Sequence, residues 1–143
     1  MKLFKLAITA AMCVISFAAH TKSSVYCLAE NIYHEARNQP VEGQVAVAQV
    51  TLNRVHSAKF HNTVCEVVYA PYQFSWTSSK NKPIQDAKAW LMSLVIAQVV
   101  LIAHSKNPEF TATHFHARSV KPSWARKKKK VVAIGDHVFY AQR

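Results

Sequence analysis

The sequence predicts an α+β domain that is small, mainly helical and closed by a C-terminal β-hairpin. In the first half, apolar residues recur at three- and four-residue steps, which is the period of an amphipathic helix. The last third alternates apolar and polar residues, which is typical of strands. At 143 residues and 50% hydrophobic, the chain is long enough for one domain with a core and too short for two ordinary ones.

Residues 1–19 have the layout of a secretory signal peptide. Lys2 and Lys5 precede an apolar run over residues 6–19 that ends in small residues and is too short to span a bilayer comfortably. An uncleaved membrane anchor is the alternative. In both cases we expect residues 20–143 to be one folded domain, secreted or periplasmic, with no membrane contact beyond the signal segment.

The first helix is predicted to end just before Pro40, because proline disfavours helix at the preceding residue. At about 100° per residue, Glu35 lies near Leu28 and Ile32 on the apolar side of this helix. Burial and the carboxyl end of a helix both raise the pKa of a carboxyl group, which suits a general acid. The alternative is a Glu35 side chain that reaches water or pairs with Arg37.

The second helix, from about Glu42 to His56, has the clearest helical period in the chain. One stripe is apolar and is expected to face the core, while a polar stripe faces either solvent or a groove. The apolar stripe is Val41, Val45, Ala48, Leu52 and Val55, and the polar stripe is Glu42, Gln49, Asn53 and His56.

Residues 57–83 are predicted to be irregular, and their aromatic side chains either stack on sugars or attach the loop to the core. A longer helix is predicted from Asp86, as cap, to about Ser105, ended by Asn107-Pro108. It is apolar nearly all round from Leu94 to Ala103, which favours a buried central helix because the run is too short for a membrane span. Its apolar positions include Leu91, Leu94, Val95, Val99 and Ile102.

The last third is predicted to be a hairpin of two strands, residues 110–117 and 131–140, joined by a lysine-rich segment. The hairpin brings together five side chains: Thr113, His114, His116, His137 and Tyr140. Three of them, His114, His116 and His137, have the ligand chemistry of a metal site, because alternate strand residues share a face. Histidines without metal, in a sugar groove or in the core, are the more common case, so no metal is assigned. The zinc-binding pattern H-E-x-x-H is broken, since residue 38 is Asn.

Several motifs, in order along nearly everything after residue 26, resemble the SleB/CwlJ-type cell wall hydrolases, the spore cortex-lytic family. They are Tyr33-His34-Glu35-Ala36-Arg37, Glu42-Gly43-Gln44-Val45-Ala46-Val47-Ala48, Leu52-Asn53-Arg54-Val55, Asn62-Thr63-Val64-Cys65 with Val68-Tyr69, Gln73-Phe74-Ser75, Thr113-His114-Phe115-His116, Pro122 with Trp124-Ala125, and Ile134-Gly135-Asp136-His137-Val138-Phe139-Tyr140. The resemblance implies cleavage of peptidoglycan glycan strands between N-acetylmuramic acid and N-acetylglucosamine. It also implies a fold similar to lysozyme and the lytic transglycosylases. A phage endolysin and an exported bacterial enzyme both fit.

By position, Glu35 matches the family's catalytic glutamate, which implies a peptidoglycan glycosidase without a cofactor. A lytic transglycosylase with one carboxylate as acid and base is the favoured form, and a muramidase-like hydrolase is the alternative. Residues carried over as substrate contacts or site supports are Gln44, Asn53, Phe74, Ser75, Thr113, His114 and Tyr140. The chain departs from the family at Asn38-Gln39, where many relatives have Gly-Glu, which leaves Glu42 as the nearest second carboxylate. A peptidoglycan amidase and a non-catalytic, basic cell-wall-binding module are the alternatives.

Export would leave two cysteines, Cys27 and Cys65, because Cys13 lies in the signal segment. An even pair in an oxidising compartment favours one disulfide between the first helix and the loop after the second. Two free buried thiols are the alternative.

The charge predicts anionic partners. The chain has a net charge of +11, and residues 20–143 would carry +9, since residues 1–19 contain two of the 18 Lys and Arg and none of the seven Asp and Glu. Such a domain attracts polyanions. Outside the cytoplasm we expect these to be peptidoglycan and anionic envelope polymers such as teichoic acids, and we expect no nucleic-acid partner. The run Arg126–Lys130 is predicted to be a solvated basic turn. We expect a monomer.

Overall fold

The computed structural model describes residues 22–79, 82–103 and 109–143. The predicted signal segment and the helix stop at Asn107-Pro108 lie outside the described residues. Within them, helices come first and a three-stranded antiparallel sheet comes last, so the predicted α+β class is confirmed. Among the described helices, none is long and apolar enough to cross a membrane.

The helices are α1 (Ser24–Ala36), α2 (Val41–Val55), α3 (Val64–Tyr69) and α4 (Ala87–Ala103). Helices α1 and α3 begin at hydroxyl caps: the Ser23 hydroxyl accepts from Tyr26 N, and the Thr63 hydroxyl accepts from Glu66 N. Helix α3 and a 3₁₀ turn at Ser75–Ser78 show that the prediction of an irregular 57–83 segment was wrong. Helix α3 has only six residues, too few for a helical apolar period to show in the sequence.

Helix α4 begins as predicted, because Asp86 Oδ1 accepts from Ala89 N at 2.9 Å. The prediction that α4 is buried is wrong. Its buried positions are Ser93, Ile96, Ala97 and Val100, whereas Leu91, Val95, Val99 and Ile102 are 52–68% exposed. A helix that is apolar all round carries no polar face to show which side meets solvent, so the sequence could not reveal this stripe.

The sheet contains β1 (His114–Ala117), β2 (Lys129–Ile134) and β3 (His137–Ala141), in the order β1-β3-β2. The central strand β3 is antiparallel to both neighbours. The prediction that residues 131–140 form one strand was therefore wrong: the chain reverses at Gly135 and Asp136, and Gly135 has φ +53°, a left-handed conformation that glycine adopts without strain.

The basic run is divided between elements and is not one solvated turn. A 3₁₀ turn spans Ser123–Lys127, so it holds Arg126 and Lys127, whereas Lys129 and Lys130 begin β2. The remaining residue of the run is Lys128, whose Nζ donates to Gln142 Oε1 at 3.0 Å.

The core has two apolar clusters on either side of α2. One lies among α1, α2, α3 and α4, and the other lies between α2 and the sheet, where Val47 and Val50 meet Phe139 of β3. The predicted disulfide is present: Cys27 of α1 is bonded to Cys65 of α3, with their Cα atoms 5.3 Å apart. Helix α1, which carries Glu35, is thus fixed to the core by apolar packing and by a covalent bond.

Candidate active site

Glu35 lies in the last turn of α1, half-buried, and faces a cleft as its helical position predicted. The cleft has a volume of about 520 Å³. It lies between the α1–α2 turn and the β2–β3 turn, and is lined by Glu35, Asn38, Gln39, Ala117, Arg118, Ser119, Asp136 and His137. A carboxyl group from the helical half of the molecule therefore meets the end of the sheet.

Opposing influences act on the Glu35 carboxyl. Burial raises its pKa, while the positive charges of Lys82 and Arg54 act to lower it. The net effect is a raised pKa, in the direction that the sequence predicted. A carboxyl group with a raised pKa keeps a larger protonated fraction near neutral pH, which is what a general acid requires.

Arg54 is a buried cation close enough to Glu35 for their charges to interact. Its side chain is 6% exposed, and burial lowers its pKa to about 10 although the Glu35 charge acts to raise it. Arg54 Nε donates to Thr113 O at 2.7 Å, and the guanidinium lies 5.3 Å from the Phe60 ring centre and 5.1 Å from that of Phe74. The Thr113 carbonyl and two aromatic rings thus hold this charge beside the candidate catalytic group.

Asn31 anchors α1 one turn before Glu35. Its side chain is fully buried: Nδ2 donates to Thr51 Oγ1 and Oδ1 accepts from Trp76 Nε1, both at 3.1 Å. The Trp76 indole also stacks on the His34 ring, with the ring centres 4.5 Å apart. This polar network fixes the rotation of α1 about its axis, and with it the direction of Glu35.

Gln39 connects the two turns that border the cleft. Its Nε2 donates to Asp136 Oδ2 at 3.2 Å and its Oε1 accepts from Asp136 N at 2.9 Å. The Gln39 carbonyl in turn accepts from the buried Gln44 side chain at 3.0 Å. Glu42, expected to be the nearest second carboxylate, is exposed and is not among the residues lining the cleft, whereas Asp136 is. The expectation for Glu42 is therefore corrected in favour of Asp136.

Asn53 and Thr113 support the sheet. Asn53 Nδ2 donates to Phe110 O at 2.7 Å and to Ala112 O at 2.8 Å, which attaches the segment before β1 to α2. The backbone N–H of Thr113 donates to Tyr140 O at 2.9 Å. Asn53 and Thr113 were expected either to contact substrate or to support the site. These hydrogen bonds favour the supporting role.

His114 and Tyr140 lie with His116 on the face of the sheet that is turned away from the core. The Tyr140 hydroxyl is 3.0 Å from His116 Nε2 and the two rings stack. Burial, together with the charges of Lys128 and Arg54, lowers the pKa of His114 to about 4, so His114 is neutral at physiological pH.

The possible metal set of three histidines is not assembled. His137 pairs with Ala117 across the sheet, which places its side chain with Phe115 on the core face, opposite His114 and His116. Within the part of the chain that the structure describes, no three His, Cys, Asp or Glu side chains are grouped as metal ligands. The predicted set assumed that residues 131–140 form one strand, in which alternate side chains share a face. Because this segment contains a turn, that alternation does not hold.

Comparison with known proteins decides the family. A family model described as Cell Wall Hydrolase matches residues 38–140, most of the chain. The chain belongs to the cell wall hydrolase family. The match begins three residues after Glu35, at the turn that borders the cleft.

This cell wall hydrolase is similar to spore cortex-lytic enzymes. It is 30% identical over 123 residues to that of Oceanobacillus iheyensis, covering 84% of this chain and 42% of the relative. It is 29% identical to that of Bacillus cereus, covering 84% of this chain and 45% of the relative. The chain therefore spans less than half the length of these relatives.

Two solved structures share the fold of the cell wall hydrolase. The catalytic domain of the Bacillus cereus SleB protein has a TM-score of 0.63 and 28% identity, with 85% of this chain and 94% of that chain covered. The catalytic domain of the germination-specific lytic transglycosylase SleB from Bacillus anthracis has a TM-score of 0.64 and 27% identity, with 86% and 98% covered. The resemblance read from the motifs is confirmed.

None of the seven residues carried over from the family as substrate contacts or site supports is among those lining the Glu35 cleft. Phe74 is buried in the helical core, where it packs against Phe115 and Arg54, so its role in this cell wall hydrolase is packing. Ser75 is exposed at the start of the 3₁₀ turn. Among the loop aromatics, Trp76 is 7% exposed and packs in the helical core, which is the expected role of attaching the loop, whereas Tyr72 is 96% exposed.

Sequence reasoning missed several residues of the cell wall hydrolase site. Asn31 precedes Glu35 by four residues, so a shared helix face could have indicated it. Arg54 follows the buried Val47 and Val50 at helical spacing, which was a signal for a buried cation. Residues 118 and 119 had no such signal, because the pairing of β1 with β3 brings them to the cleft, whereas Gly135-Asp136 between two apolar runs is a local hairpin signal that could have indicated residue 136.

Proposed function

We propose that this cell wall hydrolase cleaves peptidoglycan glycan strands between N-acetylmuramic acid and N-acetylglucosamine, as a lytic transglycosylase with Glu35 as its single general acid and base. The observation that carries the proposal is the half-buried Glu35 carboxyl, with a raised pKa, at a cleft between helices and sheet. The solved relative from Bacillus anthracis, described as a lytic transglycosylase, supports the reaction type.

In the first step, protonated Glu35 donates its proton to the glycosidic oxygen. The bond from that oxygen to C1 of the muramic residue breaks, and positive charge develops at C1 and the ring oxygen. Burial favours this step because it raises the pKa of the carboxyl and so increases its protonated fraction before the reaction. Asp136, on the wall opposite Glu35, adds negative charge to the cleft in which this cationic centre forms.

In the second step, the Glu35 carboxylate accepts the proton of the 6-hydroxyl of the same muramic residue. The oxygen of that hydroxyl forms a bond to C1, which gives a 1,6-anhydro end and returns Glu35 to its protonated form without consuming water. Lys82 and Arg54 stabilise the carboxylate between the two steps, because their charges lower the pKa of Glu35. Burial therefore favours the protonated form of Glu35 that acts as acid in the first step, and the two cations favour the carboxylate that acts as base in the second.

The same proposal includes export. Residues 1–19 direct the chain out of the cytoplasm, and residues 20–143 act as the catalytic domain on the cell wall, either in a bacterium or as a phage endolysin. The Cys27–Cys65 disulfide supports an oxidising compartment. The charge of +9 over residues 20–143 supports an anionic polymer as substrate.

Digestion of purified peptidoglycan tests the reaction. Glu35→Gln keeps the shape of the side chain but cannot deliver a proton, so we expect the rate to fall by about 10²- to 10⁴-fold. Glu42→Gln, an exposed carboxylate on the next helix, is the matched control and should retain the wild-type rate. Mass spectrometry of the products should show 1,6-anhydro ends, which are lighter than hydrolysed reducing ends by one water.

Three results would contradict the proposal. Wild-type activity in Glu35→Gln would remove Glu35 from the mechanism. Cut stem peptides on intact glycan strands would indicate an amidase. Wall binding by the wild type without any cleavage would indicate a basic binding module.

A further inference from the structure

A second cavity lies on the outer face of the sheet. Its volume is about 480 Å³, and it is bordered by residues 121–126 on one side and by His116 and Tyr140 on the other. Its lining residues are His116, Lys121, Pro122, Ser123, Ala125, Arg126 and Tyr140. None of these residues lines the Glu35 cleft, so the cavity is a separate feature of the molecule.

Lys121 and Arg126 contribute two positive charges to this cavity that no carboxylate neutralises. All seven Asp and Glu side chains of the chain lie within the described residues. The only ion pair among the described residues joins Lys22 to Glu30. Both cations are exposed at the cavity. An arginine beside a lysine at a concave surface can bind an oxyanion through two or more charge-assisted hydrogen bonds.

Apart from Ser123, the other residues that line the cavity are aromatic or apolar, and Trp124 packs against two of them without lining the cavity itself. Tyr140 stacks on His116 with the ring centres 5.3 Å apart, and the Trp124 ring lies 5.6 Å from His116 and 5.5 Å from Tyr140. Pro122 and Ala125 add apolar surface. Such a surface is suited to short aliphatic side chains, in addition to the anionic group that the cations would bind.

The cavity adjoins the Glu35 cleft through one short segment. Ser119 lines the cleft and Lys121 lines the cavity. At no more than about 3.6 Å per residue, their Cα atoms are separated by at most about 7 Å. An extended peptide of two to four residues, at up to about 3.6 Å per residue, is long enough to span this separation.

We propose that the cavity is a second binding site, which takes a carboxylate of the stem peptide that branches from the glycan strand. Peptidoglycan stem peptides combine carboxylates with short aliphatic side chains, so they match both the two cations and the apolar lining. The choice of ligand rests on the proposed function, whereas the cavity and its unpaired charges do not involve Glu35. A phosphate, as in teichoic acids, has related oxyanion chemistry and must be distinguished by experiment.

Calorimetric titration of the full chain with muramyl dipeptide tests the site. This probe has a stem-peptide carboxylate but no glycosidic bond between sugars, so binding is measured even if the proposed cleavage is wrong. We expect the probe with its carboxylate converted to an amide to bind roughly tenfold more weakly, because hydrogen bonds to a charged group are lost. Lys121→Gln with Arg126→Gln should weaken binding of the unmodified probe by a similar factor.

The matched control is Lys127→Gln with Lys130→Gln, which removes the same charge from exposed positions that do not line the cavity. This variant should bind within about twofold of the wild type, since exposed charges at a distance are screened by salt. Equal binding of the amide probe, or an equal loss in the control, would overturn the site. Binding of glycerol 3-phosphate without binding of muramyl dipeptide would overturn the peptide assignment.

A kinetic measurement links this site to the proposed function. On intact peptidoglycan, the Lys121 and Arg126 double variant should show a KM raised roughly tenfold with unchanged kcat, because binding is lost and chemistry is not. On glycan stripped of its stem peptides, it should match the wild type. A kcat loss on both substrates would show a structural effect and would contradict the proposal.

Discussion

Gly135 and Gln39 are in close contact across the cleft wall: a Cβ atom on Gly135 would lie 2.4 Å from Gln39 Oε1. That oxygen accepts the hydrogen bond from Asp136 N, so any displacement of Gln39 separates the two turns that border the cleft. Gly135 also has φ +53°, a conformation in which other residues are strained.

Gly135→Ala should therefore lower the free energy of unfolding by roughly 1 to 3 kcal/mol and reduce activity in parallel. Urea unfolding followed by circular dichroism measures the first, and peptidoglycan digestion the second. Gly43→Ala is the matched control, since its Cβ would lie 3.3 Å from Gln39 Cβ in a regular helix and should cost less. Equal losses in the two variants would show that the Gly135 turn has no special role.

The pH dependence of activity should follow the protonated form of Glu35. Because burial raises its pKa, activity should persist above the ordinary carboxyl range and decline as the pH passes the raised value. The exposed Lys82 lowers that pKa, so Lys82→Gln should move the decline to higher pH, by a small amount because solvent screens exposed charges. Lys88→Gln, exposed on α4, is the control. A shift to lower pH in Lys82→Gln would contradict the assignment.

His114 should make the domain sensitive to acid. Its pKa is about 4 in the folded protein against an ordinary 6.5, so between these values the unfolded chain binds a proton that the folded chain does not. Stability should therefore fall as the pH drops from 6.5 to about 4, by about 1 to 2 kcal/mol for this half-exposed group. The free energy of unfolding should be measured with urea at pH 7 and at pH 4. Between these two pH values it should decrease less in His114→Gln than in the wild type or in the exposed control His61→Gln.

The disulfide should contribute substantially to stability. It closes a loop with a sequence separation of 38 residues, for which the chain-entropy description gives about 4 kcal/mol. The variant with Cys27→Ser and Cys65→Ser should unfold at correspondingly lower urea concentration, and reductant should have no further effect on it. Thiol counting in the denatured, unreduced wild type should find neither Cys27 nor Cys65 free. Two free thiols at these positions would refute the bond.

Local signals predicted a large part of this fold. Pro40 limits α1, Asp86 caps α4, and the apolar side of α1 places Glu35 toward a cleft, because each of these effects acts within one or two helical turns. The contacts that complete the site are not local. Gln39 meets Asp136 from 97 residues away, and no pattern near either residue indicates the pairing. The division of residues 131–140 into two strands did have a local signal, since Gly135-Asp136 between two apolar runs is a two-residue hairpin pattern.

The position of β3 at the centre of the sheet has a consequence for biosynthesis. Strands β1 and β2 do not pair with each other; each pairs with β3, which follows both in the chain. Glu35 therefore emerges from the ribosome roughly 100 residues before the strand that completes the opposite wall of its cleft, several seconds at about 5 to 20 residues per second. During that interval the proposed general acid is present without a completed cleft, so the proposed cleavage requires the last strand to be made and paired.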